Sequence, residues 1–121
     1  ARAPPASLTV VCIASLRDLA DQIEADPDLV VAKVREVVIQ GGLTRAEHGG
    51  ATAAAGPPAA GPQPGAALAS EWVPDTSQNN AFDPAAADVV YVFCFSRGVP
   101  LTVVSRHAVP MLPMQLARSF A

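Results

Sequence analysis

The sequence predicts an α/β domain of two layers, a small sheet of about three strands with one or two helices packed on it. Three observations lead there. β-rich runs stand at 7–14, 88–96 and 99–109, helical stripes fill 16–25 and 27–40, and a long Ala/Gly/Pro tract separates the first half from the second. The 121 residues suffice for a single domain with a modest core. Bulk is limited, because one Trp, one Tyr and four Phe are the whole aromatic complement.

Leu8 to Ala14 (LTVVCIA) reads as a strand. Leu8, Val10 and Cys12 face one side and Val11 and Ile13 the other, so both faces are apolar and expected to be buried. Ser15 offers an N-cap with Asp18 three positions on, a pair resembling a capping box. Leu16, Leu19, Ala20 and Ile23 form the inner stripe of the helix over 16–25, with Asp18, Asp21 and Glu24 on its wet side. Asp26-Pro27 interrupts this helix, since Asp26 caps a second one and Pro27 suits its first turn. The second helix is expected over 27–40, with Val30, Val34, Val37 and Val38 on one face. Its β-branched residues leave 34–40 (VREVVIQ) open to a strand instead. Gly41-Gly42 ends the element either way.

Residues 42–70 read as a low-complexity linker or surface loop. From Gly49 to Ala67 they are almost wholly Ala, Gly and Pro, which bury too little apolar surface to offset their ordering entropy. Ser70 to Pro84 is turn-rich, with two large anchors, Trp72 and Phe82. The second and third strands are expected to form a hairpin about Ser96-Arg97-Gly98. In the first of these strands Tyr91, Phe93 and Phe95 point one way and Val90, Val92 and Cys94 the other. Pro100 removes a backbone donor and makes its strand an edge or a bulged one. Residues 110–121 form an apolar tail broken by Pro110 and Pro113.

Gly98-Val99-Pro100-Leu101, entered from an apolar run, is similar to the Gly-Ile-Pro hairpin of roadblock-type dynein light-chain domains. That resemblance implies a dimerising scaffold module. Those domains continue with a long helix and further strands, whereas about 20 residues with two prolines follow Leu101 here, so the assignment is not adopted.

The net charge of −3 opposes the basic footprint of nucleic-acid binding. No run approaches the roughly 20 apolar residues that span a bilayer. Neither a nucleic-acid partner nor membrane insertion is expected. Cys12 and Cys94 lie in apolar runs and read as buried free thiols, which favours an intracellular reducing compartment, an organelle matrix included.

Chemistry-bearing constellations are sparse. In the hairpin register Cys94 pairs with Leu101, not with His107, which removes a Cys–His dyad. The same register sets His107 opposite Asp88, with Ser105 on the same face. These three are the weak catalytic candidates, and with Arg106 they form the polar lining of a possible ligand pocket. His48 and His107 are isolated, no Cys-x-x-Cys occurs, and Asp18, Asp21 and Glu24 make a solvated helix face, so no metal is expected. No glycine lies between the first strand and the first helix, and no cofactor is expected.

Strands apolar on both faces, with few helices to cover them, predict a non-catalytic subunit or interaction domain of a larger assembly. It would dock by a sheet face or edge against a protein partner or a second copy. Trp72, Phe82, Met111, Leu112, Met114 and Phe120 are the expected partner contacts. The alternatives are a small enzyme or ligand-binding domain with its polar site around Asp88 and His107, and a fragment of a larger protein.

Overall fold

The computed structural model describes residues 3–46 and 71–108. In chain order the elements are β1 (Leu8–Cys12), α1 (Arg17–Ala25), α2 (Pro27–Lys33), β2 (Val34–Gln40), β3 (Leu43–Arg45), β4 (Trp72–Pro74), α3 (Gln78–Phe82), α4 (Pro84–Arg97) and β5 (Leu101–Val104). A short 3-10 turn, Arg106–Ala108, follows. β1, β2 and β5 make a parallel three-stranded sheet in the order β1-β2-β5, and β3 pairs with β4 antiparallel. The fold is α/β, as the sequence predicts, with β2 in the centre.

The expected strand at 88–96 is instead the body of α4. An apolar run is ambiguous between a buried strand and a buried helix, and here the ends decide. Asp83 caps the helix by accepting a hydrogen bond from the Ala86 N–H at 3.0 Å, with Pro84 in the first turn. Gly98 closes it in the left-handed conformation at φ 66°, and the Val99 N–H returns to the Cys94 carbonyl at 3.0 Å. Val90 and Cys94 from one expected strand face and Tyr91 from the other share a buried helical stripe with Ala87, while Val92 is 49% exposed. The hairpin at Ser96-Arg97-Gly98 therefore does not exist, and the local likeness to roadblock domains goes with it.

The strand expected over 99–109 is confined to Leu101–Val104 and pairs in parallel with β2, Val37 beside Leu101 and Ile39 beside Val103. Pro100 stands at the entry of this edge strand, where its carbonyl accepts from the Val37 N–H at 2.9 Å and its missing donor costs no ladder bond. The helix expected over 27–40 stops at Lys33. Its second half is β2, the alternative that its β-branched residues left open. The segment read as a linker from residue 42 contributes β3, and the turn-rich stretch after Ser70 contributes β4 and α3. Residues 47–70 and the tail from 109, with His48, Met111, Leu112, Met114 and Phe120, lie outside the described residues.

The expected capping box at Ser15 and Asp18 is replaced by a looser start. Leu16 occupies the cap position of α1, and Ser15 Oγ accepts from the Arg17 N–H at 3.3 Å.

One face of the sheet is roofed. Val10, Cys12, Val37, Ile39, Leu101 and Val103 join a core with Leu16, Leu19, Ala20 and Ile23 of the α1 region and with the inner stripe of α4. Arg17 ties the two helices, its Nε donating to Asp83 Oδ2 at 2.8 Å. On the opposite side Val11 is 61% exposed and Ile13 72%, against the expectation that the first strand is buried on both sides. The helices all fall on one side because successive crossovers β1 to β2 and β2 to β5 step in the same direction across the sheet.

Candidate functional site

Parallel strands end together, so the loops after β1, β2 and β5 gather at one edge. In open α/β sheets this carboxyl edge is where ligands bind. Here β2 ends in Gln40 and runs into Gly41-Gly42, and the segment from Asp75 into the first turn of α3 folds onto the glycine turn. The two glycines permit the close approach. A Cβ on Gly41 would come within 2.8 Å of the Tyr91 hydroxyl and 3.0 Å of Asn80 Oδ1, and one on Gly42 would overlap the Asp75 carboxylate.

Hydrogen bonds lock the segment in place. The Asp75 N–H donates to the Gly42 carbonyl at 3.0 Å, and Asn80 Nδ2 donates to the same carbonyl at 2.9 Å. Asn79 Nδ2 donates to the Gln40 carbonyl at 2.9 Å and reaches Gln40 Oε1 at 3.3 Å. The Tyr91 hydroxyl, from α4 below, donates to Asn80 Oδ1 at 3.4 Å. Burial pushes the Tyr91 phenol up to about 12, more than the hydrogen bonds from this cluster pull it down.

Asp75 carries the charge of the cluster. Burial raises its carboxyl, but Ser77 through its side chain and N–H, the Arg106 charge and the Asn80 amide together outweigh burial and hold it below the usual carboxylate range. The Ser77 N–H donates to Asp75 Oδ1 at 2.8 Å. The Ser77 hydroxyl lies near enough to favour the Asp75 charge, yet Oγ is buried without a partner in hydrogen-bond geometry.

Gln40, Gly41, Thr76, Ser77, Gln78, Asn79 and Arg106 surround a cavity of about 230 Å³. The polar groups converge on it from three loops, which is the pattern of a small-ligand site. A larger cleft of about 860 Å³ runs along the edge of β1 that no strand among the described residues pairs with. Its walls are mainly apolar, Leu8, Val11, Ile13, Leu29 and Val30 among them, and it lies apart from the polar cluster.

The residues singled out from the sequence do not assemble as expected. Asp88 is exposed on α4, His107 is exposed in the turn after β5, and Ser105 Oγ accepts from the His107 N–H at 3.3 Å. No hydrogen bond or ion pair joins Asp88 to His107, because the ladder that set them opposite one another is absent. Trp72 is half-buried on β4, with the Arg45 guanidinium 5.5 Å above its ring. Phe82 is 62% exposed at the end of α3. Cys94 is buried and Cys12 half-buried, both as free thiols. Among the described residues no group of three or more His, Cys, Asp or Glu is arranged to hold a metal, and no helix is long and apolar enough to cross a membrane.

Gln40, Ser77, Asn79 and Asn80 escaped the sequence reading. Their signal is the order of features: a β-branched run ending in Gly-Gly, then Asn-Asn just before an Asp-Pro helix cap.

No protein-family model matches the sequence, and no curated protein matches it. Among solved structures the chain is similar to the type III effector protein XopQ, in a crystal structure complexed with adenosine diphosphate ribose. The two share 27% identity with a TM-score of 0.62 over 84% of this chain. The chain spans only 24% of the length of the XopQ chain.

Proposed function

We propose that this chain is part of an α/β ligand-binding unit that holds a ribosylated nucleotide of the adenosine diphosphate ribose class at the carboxyl edge of its sheet. The observation that carries the reading is the convergence of Gln40, Ser77, Asn79 and Arg106 on one small cavity beyond the ends of β2 and β5. Amide and hydroxyl groups are both donors and acceptors, and they match the hydroxyls of a sugar. The adenosine diphosphate ribose bound to XopQ supports the ligand class. At about 230 Å³ the cavity falls below the roughly 300 Å³ at which pockets for whole drug-sized ligands begin, so it takes the ribose portion. Titration of adenosine diphosphate ribose into the ¹⁵N-labelled chain tests this. Shifts centred on Gly41, Gly42, Ser77 and Asn79 are expected, and an unchanged spectrum at millimolar ligand counts against the site.

A second reading, an interaction unit within a larger assembly, is favoured by the edge of β1, which no strand among the described residues pairs with. Among the described residues that strand pairs with β2 alone, carries no proline or charge along Leu8–Cys12, and borders the apolar cleft. Exposed apolar edges of this kind are ordinarily protected. The occupant that fits is an extended β-strand of another polypeptide segment, its alternate apolar side chains entering the cleft. The small share of the XopQ chain that matches supports a setting within a longer polypeptide. Light scattering after size exclusion tests it: self-association relieved by Val11→Lys with Ile13→Lys is expected, and a monodisperse wild-type monomer that binds no hydrophobic dye contradicts it.

A further inference from the structure

Arg106 stands apart from the other described cations. Arg17 is paired with Asp83, Arg45 with Glu71 and Arg97 with Asp28. Lys33 donates to the Ala3 carbonyl at 2.8 Å and Arg35 to Thr9 Oγ1 at 2.9 Å. Arg106 makes no ion pair or side-chain hydrogen bond among the described residues. It is exposed in the turn after β5, and it borders the small cavity beside Gln40, Ser77 and Asn79. An arginine left unpaired at the rim of a polar cavity keeps its whole planar fork of donors for an incoming oxyanion.

We infer that Arg106 anchors the diphosphate of the bound nucleotide, so that the site selects ribose carrying a phosphate over the neutral sugar or nucleoside. The inference rests on the nucleotide reading above. Asp75 is the opposing charge nearby, and its Oδ1 is already taken by the Ser77 N–H and the Asn80 amide. No ion pair joins it to Arg106 among the described residues. The guanidinium is well matched to phosphate oxygens, to which it gives two parallel charge-assisted hydrogen bonds. The remaining wall, Gln40 with Ser77 and Asn79, has no positive charge, so one residue sets the preference for phosphate.

The test is a set of calorimetric titrations of the 121-residue chain and of its Arg106→Gln, Arg106→Lys and Arg45→Gln variants. The probes are adenosine diphosphate ribose, ribose 5-phosphate, adenosine, ribose and inorganic pyrophosphate. Arg106→Gln is expected to weaken adenosine diphosphate ribose and ribose 5-phosphate by about tenfold or more. The same variant leaves ribose and adenosine unchanged, Arg106→Lys recovers part of the loss, and Arg45→Gln behaves as wild type. Pyrophosphate alone is expected to compete with adenosine diphosphate ribose. Full affinity of Arg106→Gln for adenosine diphosphate ribose, or failure of pyrophosphate to compete, overturns the role of Arg106 and leaves the ligand reading standing. Absence of adenosine diphosphate ribose binding to the wild-type chain overturns both.

Discussion

Tyr91 on α4 donates its hydroxyl proton to Asn80 Oδ1 at 3.4 Å, and Asn80 in turn donates to the Gly42 carbonyl at 2.9 Å. The chain of contacts links the helix layer, the Asp75–Asn80 segment and the end of the central strand. Both side chains are nearly inaccessible, Tyr91 at 1% and Asn80 at 2% exposed. Removal of the amide leaves the buried Tyr91 hydroxyl without its acceptor, while the Gly42 carbonyl keeps the Asp75 N–H, and an orphaned buried group costs about 1–3 kcal/mol. Asn80→Ala is therefore expected to lower stability in urea by about 1–3 kcal/mol. Tyr91→Phe removes the donor to Asn80 Oδ1, and about 1 kcal/mol is expected.

The Gly-Gly turn is expected to tolerate no side chain. Alanine at Gly42 must displace the Asp75 carboxylate, and alanine at Gly41 presses on Tyr91 and Asn80. Overpacking of this kind costs about 1–3 kcal/mol. Gly42→Ala should also disturb the amide resonances of Ser77 and Asn79, because Asp75 orients that segment. Wild-type chemical shifts at Ser77 in Gly42→Ala would show that the segment is held by other contacts.

Stability should fall at alkaline pH. Burial, the first cause in both cases, pushes Tyr91 from 10.0 and Cys94 from 9.0 up to about 12. The folded state then holds protons that the unfolded chain releases above about pH 9, so stability is full below that pH and declines toward pH 12. The urea midpoint measured from pH 8 upward is expected to decline, and less steeply in Tyr91→Phe and Cys94→Ala.

At the acid end the sign is opposite. Asp75 and Asp83 are held below the usual carboxylate range, Asp83 chiefly by the Ala86 N–H and then by Arg17. Their contribution is present above the ordinary carboxylate pKa and is lost as pH falls through the depressed values. Asp83→Asn, which keeps a capping oxygen, should lose less of the folded state at neutral pH than Asp83→Ala, as thermal midpoints will show.

The two thiols should react in sequence. Cys12 is half-buried and Cys94 buried, and burial raises the pKa of each. A thiol reagent at neutral pH is expected to label Cys12 first, while Cys94 waits for opening of the α4 packing and becomes reactive in urea. Simultaneous labelling of both in the native chain would contradict the buried position of Cys94.

Local chemistry made several elements readable. Leu8–Cys12 is an apolar run with a β-branched centre, Leu16, Leu19, Ala20 and Ile23 keep helical spacing, and Asp26-Pro27 starts a new helix. The apolar pattern of the first strand did not fix its burial: both faces read as covered, yet Val11 and Ile13 are exposed in the folded chain. The mistaken strand at 88–96 arose because Val, Tyr and Phe favour strands while the capping pair Asp83-Pro84 and Gly98 lay outside the run.

The candidate site was not readable in this way. Gln40 and Asn79 are 39 residues apart, and Gln40 and Arg106 farther still, so no spacing rule links them. Their meeting depends on β2 and β5 running parallel, which places their ends at one edge, and on Gly41-Gly42 letting the Asp75–Asn80 segment approach. Residue order dictates caps, stripes and turns, since those forces act within a few positions along the chain. Which strands become neighbours, and which polar groups converge at their ends, follows from burial shared across the whole molecule, a property of packing that no short stretch of sequence contains.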